Sequence, residues 1–215
     1  MKIRSLENLN QRLDEDFIWR KKELAALKSL IENRSFSPNK QNAVLRSGVA
    51  ILYAHWEGYI KTAASSYLEF VSRQKLTYEE LAINFVAIAM KTELDKAQST
   101  NKSTIHTEVI AFILTQSNQR SSIPYKEIVS TNSNLSSTVL QEITCLLGLD
   151  YSSYKSKDKI IDEKLLDRRN KIAHGEYLSL DREEYQELQE KILAMMEDFR
   201  TQVENNASQR LFCRN

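Results

Sequence analysis

The stretch SPNKQNAVLRSGVAILYAHWEGYIKTAASSYLEF, residues 37–70, decides the fold. Ser37 offers a side-chain oxygen to unpaired amides and Pro38 a pre-set φ, the pair that opens a helix. Beyond them Val49, Leu52, Trp56, Tyr59, Ala63, Tyr67 and Phe70 recur at steps of three or four, so one face of a long helix is apolar and must be covered. Its aromatics, Trp56, Tyr59, Tyr67 and Phe70, read as core rather than as a platform for stacking bases. Upstream, Leu6, Leu9, Leu13, Phe17, Leu24, Leu27 and Ile31 mark an equivalent face, so the two helices should pair antiparallel, with the acidic run Asp14 to Asp16 mostly on the wet side.

Working outward, Thr77 and Glu80 have capping-box spacing and predict a third helix to about Lys96, burying Leu81, Phe85, Ile88 and Leu94. Residues 98–134 are rich in Ser, Thr and Asn and form an irregular insertion, with a helix over Thr104–Gln116 and an irregular connection over Ser121–Ser133. Ser136–Leu147 is periodic again and ends at Gly148, placed for a left-handed C-terminal turn. A further helix runs from about Asp158 to His174 and is closed by Gly175. Asp181 and Glu184 form a second capping box, and Tyr185, Leu188, Ile192, Met195, Phe199 and Val203 line the last helix.

Composition agrees. The 215 residues contain four glycines and two prolines, where average usage of roughly 12% would give about 26. Long helices need neither inside them, so an all-α helical bundle is expected. One domain over residues 1–207 with a short tail over 208–215 suits this length. The net charge of +1 excludes nucleic-acid binding by bulk charge, and any such contact must use a local patch. Cys145 and Cys213 lack metal or disulfide-scaffold spacing. The N-terminal residues show no apolar signal core, and the apolar run Leu81–Met90 is 10 residues long against roughly 20 for a membrane span. A soluble cytoplasmic protein with no membrane partner is expected.

Phosphate-binding glycine loops, HExxH and GxSxG are absent from the sequence. Asp162-Glu163-Lys164 is formally a DxK, but its helical setting makes it a solvated helix face. The segment Asp167-Arg168-Arg169-Asn170-Lys171-Ile172-Ala173-His174-Gly175-Glu176-Tyr177 stands apart, because three cations crowd the one histidine at a predicted helix end. Lys155–Lys171 holds seven basic against four acidic residues, a field that favours an anion. Asn170 and His174 share a face, and Arg169 lies about 140° around and must reach with its long side chain. The same pattern also serves simply to complement a helix dipole.

Arg169-Asn170-x-x-x-His174 resembles the Rx4–6H motif of the HEPN superfamily. The context Leu166–Glu176 resembles that of prokaryotic stand-alone members found near toxin–antitoxin and defence genes. Tyr53–Lys61 and Asn134–Gly148 are further similar blocks, so the resemblance covers most of the chain. It implies a HEPN-like all-α fold and a metal-independent endoribonuclease without cofactor, in which Arg169 and His174 are catalytic and Asn170 positions them. Arg168 and Lys171 would then bind substrate, although Arg168 could replace Arg169 at the longer spacing. Because one chain offers a single suitable histidine, the resemblance also implies a homodimer with a composite site. The products would be a 2′,3′-cyclic phosphate and a 5′-hydroxyl, the substrate RNA, and an antitoxin or immunity protein a further partner.

Two departures stand out. Glu176 occupies the place two after the histidine where some family toxins carry a modifiable tyrosine, and Tyr177 comes one later. Glu57 either orients the arginine or makes an ordinary interhelical salt bridge. The competing readings are a non-catalytic RNA- or nucleotide-binding module and a helical interaction subunit.

Overall fold

A computed structural model describes residues 2–214, so the ends of the expected domain and tail, residues 1 and 215, lie outside the described residues. Three long helices form the frame: α1 (Leu6–Ile31), α2 (Pro38–Ser72) and α9 (Arg182–Ser208). Between α2 and α9 the chain adds α3 (Ile83–Ala89), α4 (Lys91–Gln98), α5 (Ser103–Thr115), α6 (Ser137–Leu147), α7 (Ser152–Lys155), a π-helical stretch π1 (Ile160–Asp167) and α8 (Arg168–Ala173). Pairing among the described residues outside helices is limited to isolated bridges. The protein is an all-α bundle.

Capping agrees with the sequence. Ser5 and Ser37 accept from the amides of Asn8 and Lys40, and Asp181 and Glu184 form the reciprocal box that starts α9. End-to-end contacts fix directions. Gln41 Nε2 donates to the Ile31 carbonyl and Gln74 Nε2 to that of Arg4, so α1 and α2 are antiparallel. Arg182 at the start of α9 donates to Ile31 O, Gln189 to Leu24 O and Arg200 to Asp14, so α9 is antiparallel to α1 and parallel to α2. Trp56, Tyr59 and Tyr67 are fully buried at the centre, with Phe199 and Tyr185 from α9.

Three expectations are corrected. Of the acidic run expected mostly on the wet side, Glu15 is exposed and Asp14 partly so, but Asp16 is buried, where Arg20 Nε donates to it at 2.7 Å. The third helix does not start at Thr77. The Thr77 amide and hydroxyl do donate to Glu80, but neighbouring backbone groups pair elsewhere. Tyr78 N donates to Gln119 O, Ser121 N to Leu76 O, Ala82 N to Phe212 O and Arg214 N to Glu80 O. With its amides so committed, the chain becomes helical at Ile83 and breaks again at Met90, leaving Leu94 41% exposed. The same pairing folds the C-terminal residues back, with Phe212 in the core. Finally, the expected solvated Asp162 accepts from Ser137 N at 2.7 Å and Ser137 Oγ at 2.5 Å, tying π1 to the first turn of α6.

Candidate active site

The penultimate helix is anchored by Ile161 and Leu165, both fully buried. Its first half is π-helical and its second α-helical, and such a change of winding is frequent at functional sites. The end is set by Gly175 at φ +75°, with Gly175 N donating to Ile172 O and Glu176 N to Lys171 O. That hydrogen-bond pair is a Schellman closure. A Cβ on Gly175 would meet nothing within 4 Å, so backbone conformation alone, and not space, calls for glycine. Arg46 Nη1 donates to Glu176 O at 2.7 Å and holds the exit to α2.

His174 caps the C-terminal end of this helix, directly after Ala173, and is exposed. Among the described residues its ring has no hydrogen-bond partner, in contrast to the other two histidines. His55 is 4% exposed, with Nδ1 3.5 Å from Arg20 Nη1 and Nε2 in charge-pair range of Glu23 Oε2 at 2.7 Å. His106 Nε2 lies 3.0 Å from Thr100 O and 3.2 Å from Ala97 O.

Arg169 is half-buried. Its Cζ stands 4.0 Å from the centre of the Tyr53 ring, and Nη2 donates to Ser133 O, with Asn134 Oδ1 at 3.5 Å. Nε is buried and has no hydrogen-bond partner among the described residues. Tyr53 is itself buried, accepting from Leu135 N at 2.7 Å and donating to Ser133 O at 3.3 Å. Burial pushes the Tyr53 hydroxyl above its ordinary pKa, opposed by the Leu135 amide and the Arg169 guanidinium. The Ser133 carbonyl is aimed by an unusual turn, in which Asn132 and Ser133 have φ of 48° and 57°.

The remaining expected residues are placed less centrally. Arg168 pairs with Glu184 at 3.2 Å and Lys171 with Asp167 at 2.7 Å. The Asp167 hydrogen bond raises the Lys171 pKa. Both pairs lie at the surface, where ion pairs are readily surrendered to another anion. Asn170 is half-buried, and its carbonyl accepts the His174 amide. Tyr177 is 82% exposed and apart from Arg169's contacts, lining instead an open cavity of about 880 Å³ between the starts of α2 and α9. Glu57 makes no salt bridge among the described residues: its carboxylate accepts from the Thr131 hydroxyl, in the segment that carries Ser133.

Tyr53, Thr131 and Ser133 were not singled out from the sequence, and one signal could have found them. The three family-like blocks, Tyr53–Lys61, Asn134–Gly148 and Leu166–Glu176, meet in space around Arg169.

Arg169 and His174 stand five residues apart in this segment, a held cation and an accessible imidazole, groups suited to binding an anion and to moving a proton. No group of three or more His, Cys, Asp or Glu among the described residues is placed to hold a metal ion. No helix among them is long and apolar enough to cross a membrane. The sequence model of the HEPN_MAE_28990-like HEPN family matches residues 9–212. No curated protein and no solved structure matches the chain.

Proposed function

We propose that this chain, which belongs to the HEPN_MAE_28990-like HEPN family, is a homodimeric endoribonuclease that cleaves RNA without a metal ion, through Arg169, Asn170 and His174. The observation that carries the reading is the sorting of the histidines. His55 and His106 are committed to internal partners, whereas the His174 ring is open, five residues after an arginine held in place.

One imidazole takes the proton of the 2′-hydroxyl as that oxygen attacks phosphorus. The P–O5′ bond breaks, and a second imidazole gives a proton to the departing O5′. Products are a 2′,3′-cyclic phosphate and a 5′-hydroxyl. Guanidinium groups stabilise the charge on the phosphorane. Because each copy has one free imidazole among its described residues, acid and base come from two copies related by a twofold axis, the commonest oligomer symmetry. Arg168 and Lys171 exchange their surface carboxylates for substrate phosphates. The biological setting proposed is a cytoplasmic toxin or defence effector held in check by an antitoxin or immunity protein.

The test is cleavage of labelled RNA in EDTA by the wild type and by Arg169→Ala and His174→Ala variants matched for folding and mass in solution. A loss of roughly 10²–10⁴-fold is expected for His174→Ala, with cyclic phosphate ends from the wild type and no cut at a 2′-deoxy nucleotide. Equal residual cleavage by all three proteins contradicts the proposal. A second reading, a non-catalytic RNA-binding module, is favoured by one observation: Arg169 Nη2 already serves the Ser133 carbonyl. It predicts RNA binding that depends on Arg169 with no cleavage.

A further inference from the structure

We infer that Tyr53 is a positioning residue for Arg169, holding the guanidinium through its ring and through the 130–135 segment that its hydroxyl ties to α2. The catalytic meaning of this role rests on the nuclease reading above.

Tyr53 and Glu57 are four residues apart on α2 and leave the same helix face. Both are spent on one segment: Glu57 accepts from Thr131, and Tyr53 bridges Ser133 O and Leu135 N. Between these ties Asn132 and Ser133 are left-handed, a conformation asparagine tolerates but that costs a serine. The strained turn brings one carbonyl to both the Tyr53 hydroxyl and Arg169 Nη2. The guanidinium thus has an aromatic ring against its face and a carbonyl at its edge, which removes most of the freedom of a long side chain before any ligand arrives.

The chemistry of these partners matters as much as their geometry. Arg168 and Lys171 are each paired with a carboxylate, which offsets their charge. Arg169 is held by a carbonyl, an amide oxygen and a ring, all uncharged, and among the described residues no carboxylate pairs with it. The cation is fixed yet not neutralised, and Nη1 is unengaged among the described residues. That is the preorganised state a phosphate site requires, since no reorganisation is needed as charge develops. An arginine paired with a carboxylate would have to surrender it first.

The experiment compares Tyr53→Phe and Tyr53→Leu, alone and combined with Arg169→Ala, in EDTA, with each protein checked for native thermal unfolding. Tyr53→Phe keeps the ring and loses both hydroxyl contacts, so kcat should fall roughly tenfold with KM within about twofold, and Tyr53→Leu should fall about 100-fold. Neither should lower kcat further in the Arg169→Ala background, because the role is exercised through Arg169. Losses that add to that of Arg169→Ala, or a kcat unchanged or raised in Tyr53→Phe, overturn the inference.

A second readout needs no activity. The buried Arg169 Nε–H should give a resolved, slowly exchanging proton resonance in the wild type that becomes fast-exchanging in Tyr53→Leu. If the wild type cuts no RNA in EDTA, the nuclease reading fails while this resonance still decides the positioning role, and equal exchange in both proteins refutes it.

Discussion

Arg20 donates to Asp16 and to the His55 carbonyl, and its Nη1 lies 3.5 Å from His55 Nδ1. Arginine stays protonated, so Nδ1 must accept, which places the imidazole proton on Nε2, facing Glu23. Burial, opposed by Glu23 and aided by Arg20, holds the His55 pKa below its usual 6.5. The unfolded chain therefore binds this proton more readily than the folded one. Stability from neutral His55 is fully present above about pH 6.5 and is lost as pH falls toward the folded pKa. Urea midpoints should fall from pH 7.5 to pH 5 more steeply in the wild type than in His55→Gln, and parallel slopes would contradict this. Gly58 belongs to the same arrangement, since a Cβ there would stand 2.7 Å from Arg20 Nη1. His174 and its helix end were legible because the signals are local, a cationic turn followed by glycine. Arg169's partners were not, because Tyr53 and Ser133 lie 116 and 36 residues away in the chain and nothing near Arg169 names them.

At the scale of elements, α1, α2 and α9 were legible because caps and apolar stripes agree over many turns. The third helix was misread because the Thr77–Glu80 pair, although formed, was outweighed by backbone pairing with residues 117–121 and 212–214, contacts that no window of sequence contains. In α5 the helix was read correctly, but only Val109 is buried, so periodicity there said little about packing. The π-helical turn was invisible because the apolar spacing of Ile160, Ile161 and Leu165 fits either winding. The link from Asp162 to the start of α6 ties down the π-helical stretch that leads into the motif. Asp162→Ala removes two hydrogen bonds to Ser137, one of them from a helix-start amide. A loss of about 2 kcal/mol is expected from urea unfolding. A change under about 0.5 kcal/mol, within the scatter of ordinary surface substitutions, would show that the link is incidental.

At the scale of the whole molecule, the frame of α1, α2 and α9 buries the aromatic core and leaves the end of α8 at the surface, where a second copy can approach it. In an in-line displacement the attacking 2′-oxygen and the departing O5′ lie on opposite sides of phosphorus, so the one open imidazole of a subunit cannot serve both. The proposed chemistry therefore requires association of two chains at this end. The central claim is that His174 from each of two copies flanks one scissile phosphodiester. The most direct measurement is a crystal structure of the protein bound to an RNA whose reacting 2′-oxygen is methylated. The account predicts a twofold dimer with one His174 ring within about 3 Å of that 2′-oxygen and the partner's His174 within about 3 Å of the O5′. RNA bound elsewhere, or two His174 rings facing away from each other across the dimer, would contradict it.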